Sequence, residues 1–197
     1  MGTDHLNESE AALRALALES LLIEKGLVSS SAIDSVVKAY EEDIGPLNGA
    51  RVVARAWMNP DYKKHLLKNG TEAIAEMGYE GAQGAEIVVL ENTTEVHNLV
   101  VCTLCSCYPW PVLGLPPTWY KSNAYRSRAV SEPRAVLSEF GLDLGDSVQV
   151  KVWDSNSNVR YMVLPQRPDG TDTLSEQELV PLVSRNSMIG VSFADNP

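Results

Sequence analysis

Residues 101–120 read VCTLCSCYPWPVLGLPPTWY, and this stretch decides how the rest of the chain is interpreted. All three cysteines of the 197-residue chain fall within six residues of it, in the pattern C-x-x-C-x-C formed by Cys102, Cys105 and Cys107. Thiolates are soft ligands that suit transition metals and not calcium or magnesium. The spacing therefore predicts one metal ion wrapped by the three sulfurs, with the intervening backbone within bonding distance of it.

Three other uses of the cysteines fit the sequence less well. A disulfide would leave one thiol over, and the spacing is cramped for a structural bridge. A structural zinc site usually has four ligands, and His97 is the only further candidate nearby. An iron–sulfur cluster normally needs four cysteines. What remains is an incomplete, chemically open thiolate site.

The run CTLCSC, followed by YPWPVLGLPP and WYK, resembles the metal-binding claw of the alpha subunit of nitrile hydratases. The resemblance covers most of the chain, because further segments also look like alpha-subunit sequence: NGARVVARAW, VLENTTEVHNLVVC, YRSRAV, RAVLSEFG, VWDSNSNVRYMVLPQRP and LVSRNSMIGV. It implies an enzyme that hydrates small nitriles to amides. Residues 102–107 are called the claw loop below.

The resemblance implies a specific ligand set. The thiolates of Cys102, Cys105 and Cys107 would bind a low-spin trivalent metal together with the deprotonated backbone amides of Ser106 and Cys107. Cys102 would lie opposite a sixth position that is left for water, hydroxide or substrate. Cys105 would be oxidised to a sulfinic acid and Cys107 to a sulfenic acid, which are two stages of thiol oxidation.

The resemblance also concerns the metal and the catalytic residues. Thr103 and Tyr108 resemble the cobalt branch of the family, so the expected cofactor is one cobalt(III) ion, with iron(III) as the alternative. Gln83 matches a family glutamine that hydrogen-bonds near the active site. Cys107, Gln83 and Ser106 are therefore the expected catalytic residues. Ser106 is expected to act through its amide, because the serines show no nucleophile-elbow spacing.

The chemistry of such a site follows from its donors. Thiolates and amidates are strong donors that favour a trivalent ion, and oxygenation of two sulfurs moderates their donation and restores Lewis acidity. A Lewis acid with an open position can polarise a nitrile carbon or lower the pKa of a bound water. A sulfenate oxygen at Cys107 could act as base or as nucleophile, and the sequence does not decide between these roles.

Composition and charge restrict the partners and the compartment. The formal net charge is −10 and the isoelectric point is about 4.7, so nucleic acids and anionic membranes would repel the chain. The N-terminal residues MGTDHLNESEAAL lack a basic region before an apolar run. No stretch approaches the roughly 20 apolar residues of a membrane span. A bacterial, cytoplasmic protein is expected.

The expected fold is α+β, with a helical arm at residues 1–80 and a mixed, layered metal-binding catalytic domain at residues 81–197. Capping and breaking signals divide the arm into five helices that begin near Asn7, Ser31, Asn48, Asn59 and Thr71. A leucine-rich arm without a sheet needs another surface to cover it. It either packs on its own C-terminal domain or, as the resemblance implies, grips a different beta subunit.

The second domain alternates strand and helix signals. Four β-branched runs predict strands, at residues 86–90, 96–101, 148–153 and 159–164. The last two flank a polar loop that suits a hairpin. Helices are expected at residues 122–130, at residues 133–140 and after Ser175. Residues 187–192 are expected to add an edge strand. Five prolines between Pro109 and Pro133 are expected to keep the chain stiff and non-helical.

Five further side chains have both a structural and a functional interpretation. Trp110 and Trp119 could wall the pocket or pack in an aromatic core. His97, between strand-like valines, is interpreted as a packed histidine and not as a ligand. Asp154 and Arg167 are interpreted as residues that shape turns and surface pairs.

The charge of the site points to a second subunit. Three sulfur ligands and two amidates leave excess negative charge around a trivalent ion, and buried anions need paired cations. The loop itself offers only Lys121 close by. In the family, arginines of the beta subunit bind the oxidised sulfurs in an αβ or α2β2 assembly, and an activator loads the metal. The isolated chain is therefore predicted to be inactive or nearly so.

Two other functions stay open at this stage. The gamma subunit of thiocyanate hydrolase resembles this chain, carries the same cobalt claw and converts thiocyanate to carbonyl sulfide and ammonia. A metal-trafficking or structural thiolate protein would instead show exchangeable metal and unoxidised cysteines. The proline-rich walls favour a preformed pocket over a release site.

Overall fold

The computed structural model describes residues 4–38, 45–79 and 84–197. The chain divides into two compact units, Met1–Asp43 and Ile44–Pro197. This boundary precedes residue 80, because three helices between residues 45 and 75 pack against the strands and helices of the larger unit. Among the described residues, no helix combines the length and the apolar character needed to cross a bilayer.

The smaller unit consists of two helices, α1 (Asp4–Glu24) and α2 (Ser30–Lys38). The predicted start of α1 at Asn7 is wrong, since the helix begins at Asp4 and places Asn7 inside it. Gly26 follows the helix with a φ of 66°, as expected for a glycine that ends a helix. Apolar side chains of this unit are exposed, among them Leu13, Leu16, Leu18, Leu21, Val36 and Val37.

The larger unit begins with the helices α3 (Gly45–Met58), α4 (Pro60–Lys68) and α5 (Gly70–Ala75). Asn59 caps α4 as predicted, and its side chain accepts a hydrogen bond from the Tyr62 amide. The predicted cap at Asn48 is wrong. Asn48 lies inside α3, where its buried amide nitrogen donates to the Pro111 carbonyl at 3.2 Å. It therefore ties α3 to the segment that follows the claw loop.

Four strands form the sheets of the larger unit: β1 (Glu86–Glu91), β2 (Val96–Val101), β3 (Gln149–Asp154) and β4 (Val159–Leu164). Their positions confirm the predicted strands, but the predicted hairpin is wrong. β1 pairs with β4 and β2 pairs with β3, both in parallel. The loop between β3 and β4 forms hydrogen bonds with the neighbouring strands. The Ser155 amide donates to the Val101 carbonyl of β2, and the Asn158 carbonyl accepts from the Glu86 amide of β1.

Three helices follow the claw loop, α6 (Trp110–Leu113), α7 (Asn123–Ser131) and α8 (Pro133–Glu139), with a 3₁₀ turn at Thr118–Lys121. The last two confirm the helices predicted there. The expectation of a non-helical proline segment is wrong at α6. Pro111 lies in the first turn of this helix, where its missing N–H has no intrahelical partner to lose.

The C-terminal part contains α9 (Glu176–Leu179), a 3₁₀ turn at Val180–Leu182 and α10 (Arg185–Ile189). Ser175 and Glu178 form the predicted capping box. The predicted edge strand at residues 187–192 is wrong, because Ser184 caps a helix that ends at Gly190 with a φ of 91°. A Cβ atom at Gly190 would lie 2.0 Å from the Asn98 carbonyl oxygen, so the chain crosses β2 where only glycine fits.

A buried polar network surrounds His97 in the middle of these elements. His97 Nε2 lies 2.7 Å from the Gly190 carbonyl, and its Nδ1 lies 3.2 Å from the Asn92 amide nitrogen. Asn92 Oδ1 accepts from Asn98, and Asn98 Oδ1 accepts from the Trp153 indole at 2.8 Å. The interpretation of His97 as a packed, hydrogen-bonded residue is thus confirmed. The partners require the neutral ring with its proton on Nε2.

The stability of the chain is expected to fall as the pH drops below about 6.5, the pKa of an unfolded histidine. Burial lowers the pKa of His97 in the folded chain. Between the folded and the unfolded pKa, His97 is therefore protonated in the unfolded chain and neutral in the folded chain, which favours unfolding. The melting temperature should fall less between about pH 7 and pH 5 in His97→Gln than in the wild type. A loss in His97→Gln as large as the loss in the wild type would contradict this prediction.

Candidate metal centre

The claw loop begins where a buried strand ends. β2 is buried over most of its length, and Cys102 follows Val101 directly with none of its side chain exposed. Val101 also accepts a 2.7 Å hydrogen bond from the Ser155 amide, which fixes the strand end. The first sulfur is therefore held by the core, while Cys105 is exposed and Cys107 is half-buried.

The three sulfurs lie within 4.8 Å of one another. Cys105 Sγ is 3.3 Å from Cys102 Sγ and 2.9 Å from Cys107 Sγ. These separations are too long for a disulfide bond of about 2.05 Å, and all three thiols are free. One metal ion can contact all three sulfurs without moving the backbone.

The spacing and the donor types fit a compact transition-metal site. A tetrahedral zinc site with bonds of about 2.3 Å would hold its sulfurs about 3.8 Å apart, whereas donors at right angles would be about 3.3 Å apart. The measured 3.3 and 2.9 Å are closer to the second value. Backbone hydrogen bonds from Cys107 and Ser106 also help to lower the pKa of the Cys105 thiol. Cys102, Cys105 and Cys107 can therefore supply three sulfurs to one ion.

The thiols differ in how readily they ionise. The pKa of Cys105 is lowered, first by its hydrogen bond with the Cys107 side chain and further by hydrogen bonds from Cys102 and the nearby amides. Burial, together with the same Cys105 contact, raises the pKa of Cys107 to about 12. In the metal-free chain the exposed Cys105 is the first of this pair to become a thiolate, which is the form that binds a metal.

Arg160 is a cation near Cys107 that sequence reasoning missed. It lies on β4, and its positive charge favours the thiolate of Cys107. Its Nε and one terminal nitrogen are buried without a hydrogen-bond partner among the described residues. Lys121, the lysine nearest to the claw loop in sequence, is exposed. No local signal marks Arg160, because it is more than fifty residues away from Cys107 in sequence, on a strand that pairs with β1.

Asp154 clamps the claw loop at Thr103. It ends β3, and its two carboxylate oxygens accept hydrogen bonds from the Thr103 amide at 2.9 Å and the Thr103 hydroxyl at 2.6 Å. Both contacts are charge-assisted, which makes them stronger than bonds between neutral groups. Asp154 was expected only to shape a turn. Its contact with the residue after Cys102 places it in the frame of the metal site.

Replacing Asp154 with alanine should loosen the loop and speed the release of bound metal to a chelator. Hydrogen bonds to a charged group contribute about 1.5–3 kcal/mol, and this exposed site should lie at the low end. Release rates measured at fixed chelator concentration should rise roughly tenfold. Asp172→Ala, at an exposed carboxylate elsewhere in the chain, serves as the control. Equal release rates in both variants would contradict the clamp.

An aromatic cluster supports the other end of the loop. The Tyr120 hydroxyl donates to the Cys107 carbonyl at 3.0 Å, and its ring packs edge-on against Tyr108 at 5.1 Å. Trp119 lies 4.9 Å from Tyr125 and 4.7 Å from Phe140, edge to face. These contacts favour the core-packing interpretation of Trp119 over a role as pocket wall.

The structure brings some of the predicted site residues together. The three cysteines and Ser106 form one cluster, whereas Gln83 lies outside the described residues. Arg167 is engaged elsewhere, because its guanidinium donates to the Thr171 carbonyl and hydroxyl. Its interpretation as a residue that shapes the fold is therefore confirmed. Fold and loop together define an α+β protein whose metal centre is built from cysteine sulfur within a single loop.

Comparison with known proteins gives the family. The family model described as "Nitrile hydratase, alpha chain" matches residues 9–192, and the chain belongs to this family. It is 55% identical over 196 residues to the low-molecular weight cobalt-containing nitrile hydratase subunit alpha of Rhodococcus rhodochrous, covering 100% of this chain and 95% of the relative.

Two further relatives frame the comparison. A solved double mutant of the Fe-type nitrile hydratase from Comamonas testosteroni Ni1 superposes with a TM-score of 0.88 at 42% identity, covering 96% of this chain and 92% of that one. The thiocyanate hydrolase subunit gamma of Thiobacillus thioparus is 43% identical over 195 residues, which cover 93% of this chain and 80% of the relative. The resemblance stated from the claw-loop residues is thereby confirmed.

Proposed function

We propose that this chain is the alpha subunit of a cobalt-containing nitrile hydratase, which hydrates small nitriles to amides. The observation that carries the proposal is the cluster of three free sulfurs within 4.8 Å of one another. The proposed ligands are the sulfurs of Cys102, Cys105 and Cys107 and the amide nitrogens of Ser106 and Cys107. Full-length relatives that are nitrile hydratase alpha subunits support the reaction.

Cobalt(III) is the proposed metal. Two relatives at 55% identity are described as cobalt-containing, and Thr103 and Tyr108 match the cobalt pattern noted in the sequence. The Fe-type structural neighbour keeps iron(III) as the alternative. Oxidation of Cys105 to a sulfinic acid and of Cys107 to a sulfenic acid is part of the proposal. Both sulfurs have exposed surface, so an oxidant can reach them, whereas Cys102 is sealed in the core.

The chain's own residues would divide the work around the metal. When bound, the metal would act as a Lewis acid that polarises a nitrile or lowers the pKa of water. Cys102 anchors the site from the buried side, and the exposed side at Cys105 leaves room for substrate. Arg160 stabilises negative charge at Cys107, and Tyr120 holds the Cys107 carbonyl. Cys107 is the proposed base or nucleophile, with Gln83 as a nearby hydrogen-bonding residue.

A second subunit is part of the proposed enzyme. Relatives are described as subunits of nitrile hydratases, which supports a beta subunit as partner, and an activator protein is proposed to load cobalt. Buried negative charge at the oxidised sulfurs needs cations beyond Arg160, and the partner is proposed to supply them. A bacterial cytoplasmic location is proposed because the relatives are bacterial proteins.

Thiocyanate hydrolysis is the second candidate function. The gamma subunit of thiocyanate hydrolase is 43% identical, against 55% for the cobalt-containing nitrile hydratase subunit.

Product analysis decides between the two. The complex purified with its native partner is offered acetonitrile and thiocyanate in separate reactions. Nitrile hydration predicts acetamide without ammonia, and no reaction with thiocyanate. Carbonyl sulfide and ammonia from thiocyanate, with the nitrile untouched, would identify the other enzyme at the same metal site.

A further inference from the structure

A cleft lies between Thr103 of the claw loop and the helix α7. Its volume is about 390 Å³, and it is lined by Thr103, Asn123, Arg126, Ser127 and Val130. Thr103 belongs to the claw loop, and the other four residues lie on α7. Whatever fills this cleft also covers one flank of the metal site.

Arg126 has no partner in the described part of the chain. Its Nε is buried without an acceptor, and neither an ion pair nor a side-chain hydrogen bond of Arg126 is found among those residues. Arg128, two residues along the same helix, instead binds both oxygens of Glu139 at 2.6 and 2.9 Å. The two terminal nitrogens of its guanidinium are not buried and form no hydrogen bond among the described residues, so they are open to an acceptor from outside.

Two acidic groups near the cleft or on the same helix are already engaged. Asp154, which reaches Thr103 from β3, has both oxygens engaged by that threonine. Glu132, which follows the last turn of α7, pairs with Arg128. Among the described residues Arg126 is thus a cation without an acidic partner, and it attracts an anion.

Apolar side chains beside the cleft also lack cover. Val130 at its edge is 54% exposed, and Leu104 in the claw loop is 87% exposed. An exposed leucine within a metal-binding loop is costly in water, and its burial stabilises a complex in proportion to the area covered. Arginine beside exposed apolar side chains is the composition typical of a protein–protein interface.

We propose that this cleft receives an acidic side chain of the partner subunit. Its carboxylate binds the Arg126 guanidinium through two parallel hydrogen bonds, and apolar neighbours on the partner cover Val130 and Leu104. A carboxylate fits this site because it matches the fork of donors on a guanidinium and neutralises its charge. The inference rests on the proposed function, since it assigns a surface to the second subunit.

The affinity of the cobalt-loaded chain for its partner subunit tests this assignment. Arg126→Gln should weaken binding by about 30-fold or more, because truncating one side of a buried charge pair leaves the other charge unpaired. Val130→Ser should weaken it by a smaller factor. Lys64→Gln removes one positive charge from an exposed site on α4 and should leave the affinity unchanged. The melting temperature of the isolated chain should not fall in Arg126→Gln, since Arg126 binds nothing within the described chain.

Three outcomes overturn the assignment. Wild-type affinity in Arg126→Gln would show that Arg126 forms no charge pair with the partner subunit. Equal losses in Arg126→Gln and Lys64→Gln would indicate a long-range charge effect. Self-association of the wild-type chain that Arg126→Gln abolishes would make a second copy the occupant. Nitrile hydration by the wild-type complex is assayed in the same samples, so a failure of the proposed function is seen separately from a failure of the binding prediction.

Discussion

Replacement of Cys102 with alanine is expected to reduce bound cobalt from about one ion per chain to almost none. Cys102 is the only one of the three sulfurs with no exposed surface, and it follows directly from β2. It is therefore the ligand whose position is fixed before the metal arrives. The other two sulfurs lie in a partly exposed loop and cannot hold the ion alone against competing water.

The activity of Cys102→Ala should fall with its metal content. Lewis-acid stabilisation of a transition state contributes several kcal/mol, and about 1.4 kcal/mol corresponds to a tenfold change in rate, so a loss on the order of 10³-fold or more is expected. Cobalt content, the visible absorption of the metal centre and nitrile hydration are measured on the same complex. The change to alanine removes one sulfur atom from the core, so the fold should persist.

Ser106 provides a matched control for this experiment. Ser106→Ala removes the hydroxyl but keeps the backbone amide, so cobalt binding should remain near the wild-type level. Ser106→Pro removes the amide proton and the nitrogen ligand with it, so cobalt binding should fall. Near-complete metal binding in both Cys102→Ala and Ser106→Pro would show that the ion is held elsewhere.

The cobalt-loaded chain without its partner is expected to hydrate nitriles at least about 100-fold more slowly than the complex. In the isolated chain Cys105 and Leu104 are exposed, so water surrounds the open side of the site. Electrostatic stabilisation is weak in water and much stronger in a closed, preorganised site. Arg160 is a cation that acts on Cys107, and one cation would not balance the two oxidised sulfurs that we propose.

This comparison requires equal metal loading. The isolated chain and the complex are prepared with the same cobalt content per chain, and initial rates are measured across a range of nitrile concentrations. A lower kcat in the isolated chain is the expected result, because the missing groups act on the reacting atoms and not only on binding. An isolated chain that matches the complex in kcat would contradict the need for a partner.

The claw loop could be predicted from the sequence because the signals that define it lie within a few residues of one another. Three cysteines within six residues, a preceding β-branched run and the capping pairs at Asn59 and Ser175 are all visible in short windows. Such signals depend on backbone geometry over a few residues. The ligand cluster, the strand that leads into it and most helices follow from them.

The hairpin error concerns contacts between distant segments, whereas the wrong helix starts at Asn7 and Asn48 are local. The loop between β3 and β4 contains turn-forming residues, but these residues do not specify which strands pair. β3 pairs with β2 and β4 pairs with β1, so β3 and β4 do not pair with each other. Residues 187–192 contain few strand signals, and the cap at Ser184 with the required glycine at Gly190 produced a helix. Asp154 reaches the claw loop because the parallel pairing sets it beside Val101, the last residue of β2.

Activity as a function of bound cobalt is the most direct test of the whole account. Complex prepared with graded cobalt content is assayed for nitrile hydration, and the cysteine oxidation states are read by mass spectrometry on the same samples. The account predicts that the rate rises in proportion to cobalt and saturates at one ion per claw loop. A metal-free complex that retains the full rate, or a rate that does not follow the cobalt content, would show that the cysteine cluster is not the catalytic centre.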